Sequence, residues 1–251
     1  MDRVKLWSVP VLAAAALIGI VGASYWSVAA VAVISGLLAV AVGIGWPHLL
    51  DVPAKKTQGA VLALAGAGAC AAAYFAPAAA LLTWLPGIAA AGVGAIFLIQ
   101  LLRGTGQAHR LESTIGNIAG VLLAVMSSGW VAADRLANAD GSPAGVTIGG
   151  AGIFAALAVT LIPLPDRIAA PLGVAAGALA GALAGVLQPE AGVPAVAAAA
   201  MGAVGAAVVM AVRRLVLSRD ITTRRGRLAL SLAPVGALGS VVYFMARLLV
   251  P

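Results

Sequence analysis

Charge is scarce in this chain. Only 9% of its residues are Asp, Glu, Lys or Arg, against about a quarter in an ordinary soluble domain. So few charges cannot clothe a water-facing surface, and a soluble globular fold is excluded. Cysteine is nearly absent too. The single Cys70 rules out an intrachain disulfide and lies in an apolar run, where it reads as a small buried hydrophobe. The two histidines, His48 and His109, fall in loops without ligating neighbours, so no metal and no cofactor are expected. The chain has no GxxxxGK(S/T) loop and no HExxH motif, which removes P-loop nucleotide hydrolysis and zincin chemistry. No histidine lies within an apolar segment, which argues against an intramembrane serine protease. The acids are too scattered for the aspartate sets of membrane phospho-alcohol transferases.

Apolar residues are what remains. They make up 63% of the chain, with a mean hydropathy of +1.09. They fall into nine stretches, and a bilayer core needs roughly 20 apolar residues per helical span. The expected fold is therefore all-α, a polytopic bundle of nine transmembrane helices. The spans are predicted at 6–22, 26–45, 58–76, 81–102, 113–133, 145–163, 169–188, 194–216 and 228–249. Nothing is left over for a soluble unit, so residues 1–251 read as one integral membrane domain. Gly45-Trp46-Pro47 and Pro77 are expected to end the second and third spans, with Pro171 and Pro194 in the first turns of the seventh and eighth. The N-terminus has the outline of a signal peptide, with Arg3, Lys5, an apolar run and Val21-Gly22-Ala23. It reads instead as the first transmembrane helix.

The cations are distributed with a bias. Thirteen of the fifteen basic residues occupy every second gap, and only Arg135 and Arg247 lie in the others. By the positive-inside rule the N-terminus is cytoplasmic and the C-terminus outside. The expected location is a bacterial inner membrane, since Arg outnumbers Lys twelve to three as in a GC-rich coding sequence. The net charge of +7 then reflects topology and attraction to anionic lipids, with no nucleic acid as partner.

Four features stand out. In the seventh span Gly173, Gly177, Gly181 and Gly185 recur every four residues on one face. They predict close helix packing, or a seam with a second copy or another membrane protein. The fifth span carries a small-polar stripe of Ser113, Asn117, Gly120, Ala124, Ser127 and Ser128. Asn117 is its strongest interior polar residue, with Gln100 a possible partner. In the ninth span Pro234 frees a backbone carbonyl beside Ser231, as in the broken helices of transporters. The loop RRLVLSRDITTRRGR presents Arg213, Arg214, Arg224 and Arg225 to a phosphate or an anionic lipid head group. The acids read as loop residues at helix ends. Asp134-Arg135 and Asp166-Arg167 are adjacent opposite charges near the membrane interfaces, and no ionisable group is expected in mid-helix.

These features predict a permease-like protein, moving a small solute or a lipid-linked envelope precursor, rather than an enzyme. Asn117, Ser127, Ser128, Ser231 and Pro234 would form the path. Two alternatives remain open: an enzyme acting on a phosphorylated lipid through the arginines with Asp166 or Asp220, and a non-catalytic subunit docking through the glycine face.

Overall fold

The computed structural model describes residues 3–52, 54–103, 110–137, 143–189, 192–218 and 223–249. Among these residues the structure is helical throughout, without strands. Lipid supplies no hydrogen-bond partners for the backbone, so each apolar stretch must satisfy its amides internally, as a helix does. The helices are α1 (Arg3–Ser24), α2 (Val28–Leu49), α3 (Lys55–Phe75), α4 (Leu85–Leu102), α5 (Arg110–Met126), α6 (Ser128–Ala137), α7 (Ala144–Thr160), α8 (Asp166–Val186), α9 (Ala195–Ser218) and α10 (Arg224–Leu249). A 3-10 turn at Ala78–Ala80 precedes α4.

Eight segments are long and apolar enough to cross a membrane, α5 and α6 together forming one of them. α7, at 17 residues, spans only about 26 Å at 1.5 Å per residue. It is also largely buried, packed against α8, α9, α1, α6 and α10. A helix surrounded by protein need not match the thickness of the lipid around it.

Three expectations are corrected. The second span does not end at Gly45-Trp46-Pro47. α2 continues to Leu49, and the Leu50 and Val52 amides still bond the Trp46 and Pro47 carbonyls. This places His48 in a helix, its Nδ1 3.0 Å from the Ile44 oxygen. Pro171 lies inside α8 rather than in its first turn, because the helix begins at Asp166. The fifth span is broken at Ser127. The Ser128 hydroxyl bonds the Val125 carbonyl (2.8 Å) and the Ser240 hydroxyl bonds the Met126 carbonyl (2.9 Å). Hydroxyls thus take carbonyls that a continuous helix would use.

Chain ends meet in two layers. At one, the ends of α2, α4, α7 and α9 adjoin the starts of α3, α5, α8 and α10. Lys55, Lys56, Arg103, Arg167, Arg213, Arg224, Arg225 and Arg227 belong to this basic end. At the opposite end, Arg135 donates to the Ala73 and Ala76 carbonyls (2.8 and 2.7 Å). There it caps α3 where the helix dipole favours a cation.

Glycines set the closest approaches. α8 lays Gly177 and Gly181 against Gly202 of α9 and Gly152 of α7. A Cβ on Gly202 would come 2.1 Å from the Gly177 oxygen, and one on Gly152 2.3 Å from the Gly202 Cα. Gly173 accepts Met210, and Gly185 accepts Ala198. The glycine face of α8 is thus covered within the bundle, while Leu179, Leu183 and Val186 point outward.

Candidate functional site

α1, α7, α9 and α10 pack in a ring, each against the next, and enclose a cleft of about 60 Å³ in the basic half of the bundle. One stripe of each helix faces it. α7 contributes Ile153, Leu157 and Thr160 at helical spacing, and α10 contributes Leu230, Ser231, Pro234 and Leu238. The volume exceeds the roughly 10–15 Å³ that one water requires, and the walls are almost wholly apolar. Each flanking helix carries a proline within it, Pro10 in α1 and Pro234 in α10. Pro234 has no amide for the Leu230 carbonyl, so that carbonyl loses its intrahelical bond where the helix lines the cleft.

The polar atoms gather toward the basic end. The Thr160 hydroxyl donates to the Leu157 carbonyl (2.6 Å) and the Ser231 hydroxyl to that of Arg227 (2.8 Å). Arg213 enters from the last turns of α9 and is only 9% exposed. Its guanidinium donates to the Asp166 carboxylate and to the Leu164 carbonyl (3.1 Å). Asp166, expected beside Arg167, is therefore drawn to a cation 47 positions away. The pairing is physically reasonable, since a buried guanidinium without a counter-charge is strongly unfavourable.

A second polar cluster ties α3, α4 and α5. Asn117 donates from Nδ2 to Gln58 Oε1 (2.9 Å) and to the Ser113 carbonyl (2.6 Å), while Gln100 Nε2 donates to Ser113 Oγ (2.9 Å). All four residues are buried, Gln58 and Asn117 completely. Gly116 and Gly120 make room beside it for Leu50 and Trp46, and the Trp46 Nε1 bonds the Gly116 carbonyl (2.8 Å). Gln100 and Asn117 meet through Ser113.

The residues expected to form one path are thus divided among three places. Ser231 and Pro234 line the cleft together with Arg213. Asn117 belongs to the amide cluster. Ser127 and Ser128 mark the break between α5 and α6, which is locked onto α10: Trp130 Nε1 donates to the Val235 carbonyl (2.7 Å), and a Cβ on Gly236 would meet Ser127 Oγ at 2.4 Å. The carbonyls of Ala124, Val125 and Met126 all find donors there, so the break serves as a joint between helices.

Of the four arginines expected to meet phosphate, Arg213 is buried, Arg224 and Arg225 are exposed, and the Arg214 side chain lies outside the described residues, as does Asp220. Asp134, expected in a loop, is wholly buried in α6, because the helix runs on to Ala137 and its neighbour Arg135 is anchored to α3. Sequence reasoning passed over Gln58, Thr160, Trp130 and Arg227. Arg227 could have been found, since it stands four residues before Ser231 and seven before Pro234, on the same helical stripe. Among the described residues no group of three His, Cys, Asp or Glu gathers to hold a metal. No model of a protein family, no curated protein and no solved structure matches the chain.

Proposed function

We propose that this is a nine-span, permease-like protein of a bacterial cytoplasmic membrane, with its N-terminus inside and its C-terminus outside. It moves a small solute or a lipid-linked envelope precursor, and the cleft between α1, α7, α9 and α10 receives the moving molecule. The orientation rests on the cations gathered at one end of the bundle. The observation that carries the functional reading is the cleft itself, an apolar space bounded by two proline-bearing helices and closed at its basic end by a buried arginine. Freed backbone carbonyls at a helix break are a recurrent way of holding a transported molecule.

Reconstitution into liposomes containing a fluorescent short-chain phosphatidylglycerol tests it. The protein should make the inner-leaflet pool accessible to an external quencher, and Leu238→Trp, which fills the cleft, should suppress this while the folded yield is kept. If neither this lipid nor a radiolabelled anionic solute crosses faster than in empty liposomes, the reading fails.

A further inference from the structure

The basic mouth of the cleft contains hydrogen-bond donors without acceptors. In Arg213 the two terminal nitrogens are engaged by Asp166 and Leu164, and the Nε is buried without a hydrogen-bond partner among the described residues. Arg227 Nε is in the same condition. Arg227 precedes Ser231 by one turn and lies on the stripe of α10 that runs through Leu230, Ser231, Pro234 and Leu238 into the cleft. Side chains on a helix lean toward its N-terminus, so Arg227 reaches from that stripe toward the basic end, where α9 delivers Arg213. Arg213, paired with Asp166, thus closes a slot walled by Val, Ile, Leu, Ala and Pro with the hydroxyls of Thr160 and Ser231, and Arg227 stands one turn before Ser231, just beyond the lining residues.

Buried donors are rarely left unsatisfied, and each such group calls for an acceptor. The acceptor that fits must bring oxygens and negative charge to the mouth and hydrocarbon to the slot. We propose that the cleft binds a phosphate-bearing amphiphile, its phosphate accepting hydrogen bonds from Arg213 and Arg227 and its chain lying between α7 and α10. Arginine forks match phosphate oxygens in geometry as well as charge. This inference rests on the reading of the cleft as the ligand site, and it names the class of ligand.

The test is native mass spectrometry of the detergent-purified full chain with three probes. These are phosphatidic acid, diacylglycerol with the same chains, and inorganic phosphate. Phosphatidic acid should bind one to one, with diacylglycerol weaker by roughly tenfold or more, as expected for lost charge-assisted hydrogen bonds. Inorganic phosphate should show no saturable binding. Arg227→Gln should weaken phosphatidic acid by a similar factor with the melting temperature unchanged, and Leu238→Trp should exclude it. Because Arg213→Gln also breaks the Asp166 pair, the Arg227 variant decides the matter if the Arg213 variant does not fold. Equal binding of diacylglycerol overturns the phosphate clamp. Binding of inorganic phosphate as strong as that of phosphatidic acid assigns the mouth to a free phosphate compound and overturns the amphiphile. Phosphatidic acid binding undiminished in both Arg227→Gln and Leu238→Trp overturns the location. The liposome assay separates the two readings. Binding without movement overturns transport and leaves this inference standing, whereas movement without preference for phosphate does the reverse.

Discussion

The two sides of α9 are built on opposite plans. Toward α8 and α7 it presents glycine, and the backbones touch: Gly202 has no space for even a methyl group beside the Gly177 oxygen. Toward α1 and α10 it presents Val209, Val212 and Arg213 across a cleft of about 60 Å³. Between helices in lipid there is little hydrophobic driving force, and association depends on close van der Waals contact and hydrogen bonds. Glycine maximises that contact by removing the side chain. Proline in α1 and α10 works against it, because each removes an amide and leaves a carbonyl without its intrahelical bond. The tight side is where the bundle gains stability, and the loose side is where a guest can be admitted.

The sharpest way to break the comparison is to force the tight side open. Gly202→Leu should cost about 3 kcal/mol or more, since overpacking here meets backbone that cannot turn aside. Folded yield and melting temperature in detergent report it. Gly94→Leu, where a Cβ meets nothing within 4 Å, should stay within about 0.5 kcal/mol of the parent. Equal losses in the two variants would mean that the seam is not the source of stability.

Trp130→Phe tests an intermediate case, the joint of α6 on α10. It keeps most of the ring but leaves the buried Val235 carbonyl without the indole donor, for an expected loss of about 1–3 kcal/mol in thermal melting. No loss would show that the carbonyl recovers its helical amide.

The smallest effect should come from the exposed turn between α2 and α3. Lys55 donates to Asp51 at 2.5 Å, and that hydrogen bond, with the ammonium charge, holds the Asp51 carboxyl below its ordinary value of 3.8. A depressed carboxylate stabilises the fold above that ordinary value and loses the contribution as pH falls through the lowered one. Asp51→Asn should therefore be slightly less stable than the parent at neutral pH, and their melting temperatures should converge on acidification. Because Asp51 is exposed, the difference at neutral pH should be small. A difference that persisted in acid would assign the effect to the turn, where Asp51 and Ala54 both hold positive φ.

The apolar stretches were readable because lipid imposes a length and a composition on each crossing. The glycine repeat at Gly173, Gly177, Gly181 and Gly185 was readable as a contact face for a similar reason, since only small residues let backbones meet. Its partners were marked only by the small residues of the sixth and eighth spans. Gly152 stands with Gly149 and Gly150, and Gly202 with Gly205, and which of them meets α8 is set by the tertiary fold. The break at Ser127 carries neither proline nor a charge. Its cue is the Ser127-Ser128-Gly129 run, whose hydroxyls compete for the backbone, but one of the decisive hydroxyls, Ser240, lies on another helix. Local sequence also shows Asp166 only beside Arg167, because adjacency is visible and the return of α9 beside α8, which brings Arg213, is not. Thus the cleft's residues were individually conspicuous at Ser231, Pro234 and Arg213. Their assembly depended on the ring of four helices, and the same fold sent Asn117 elsewhere.

The glycine seam has a mechanical consequence for the cleft. α7, α8 and α9 touch backbone to backbone at Gly152, Gly177, Gly181 and Gly202, which leaves little room for sliding there. On the proposed reading they would move as one body, to which the cleft's α7 and α9 walls belong. α10 is itself seated backbone to backbone on α6 at Gly129 and Ser240, so proline-bearing α1 is the wall that would yield to a guest. Spin labels on α8 and α9 should keep their separation when phosphatidic acid is added, while labels on α1 and α9 move apart.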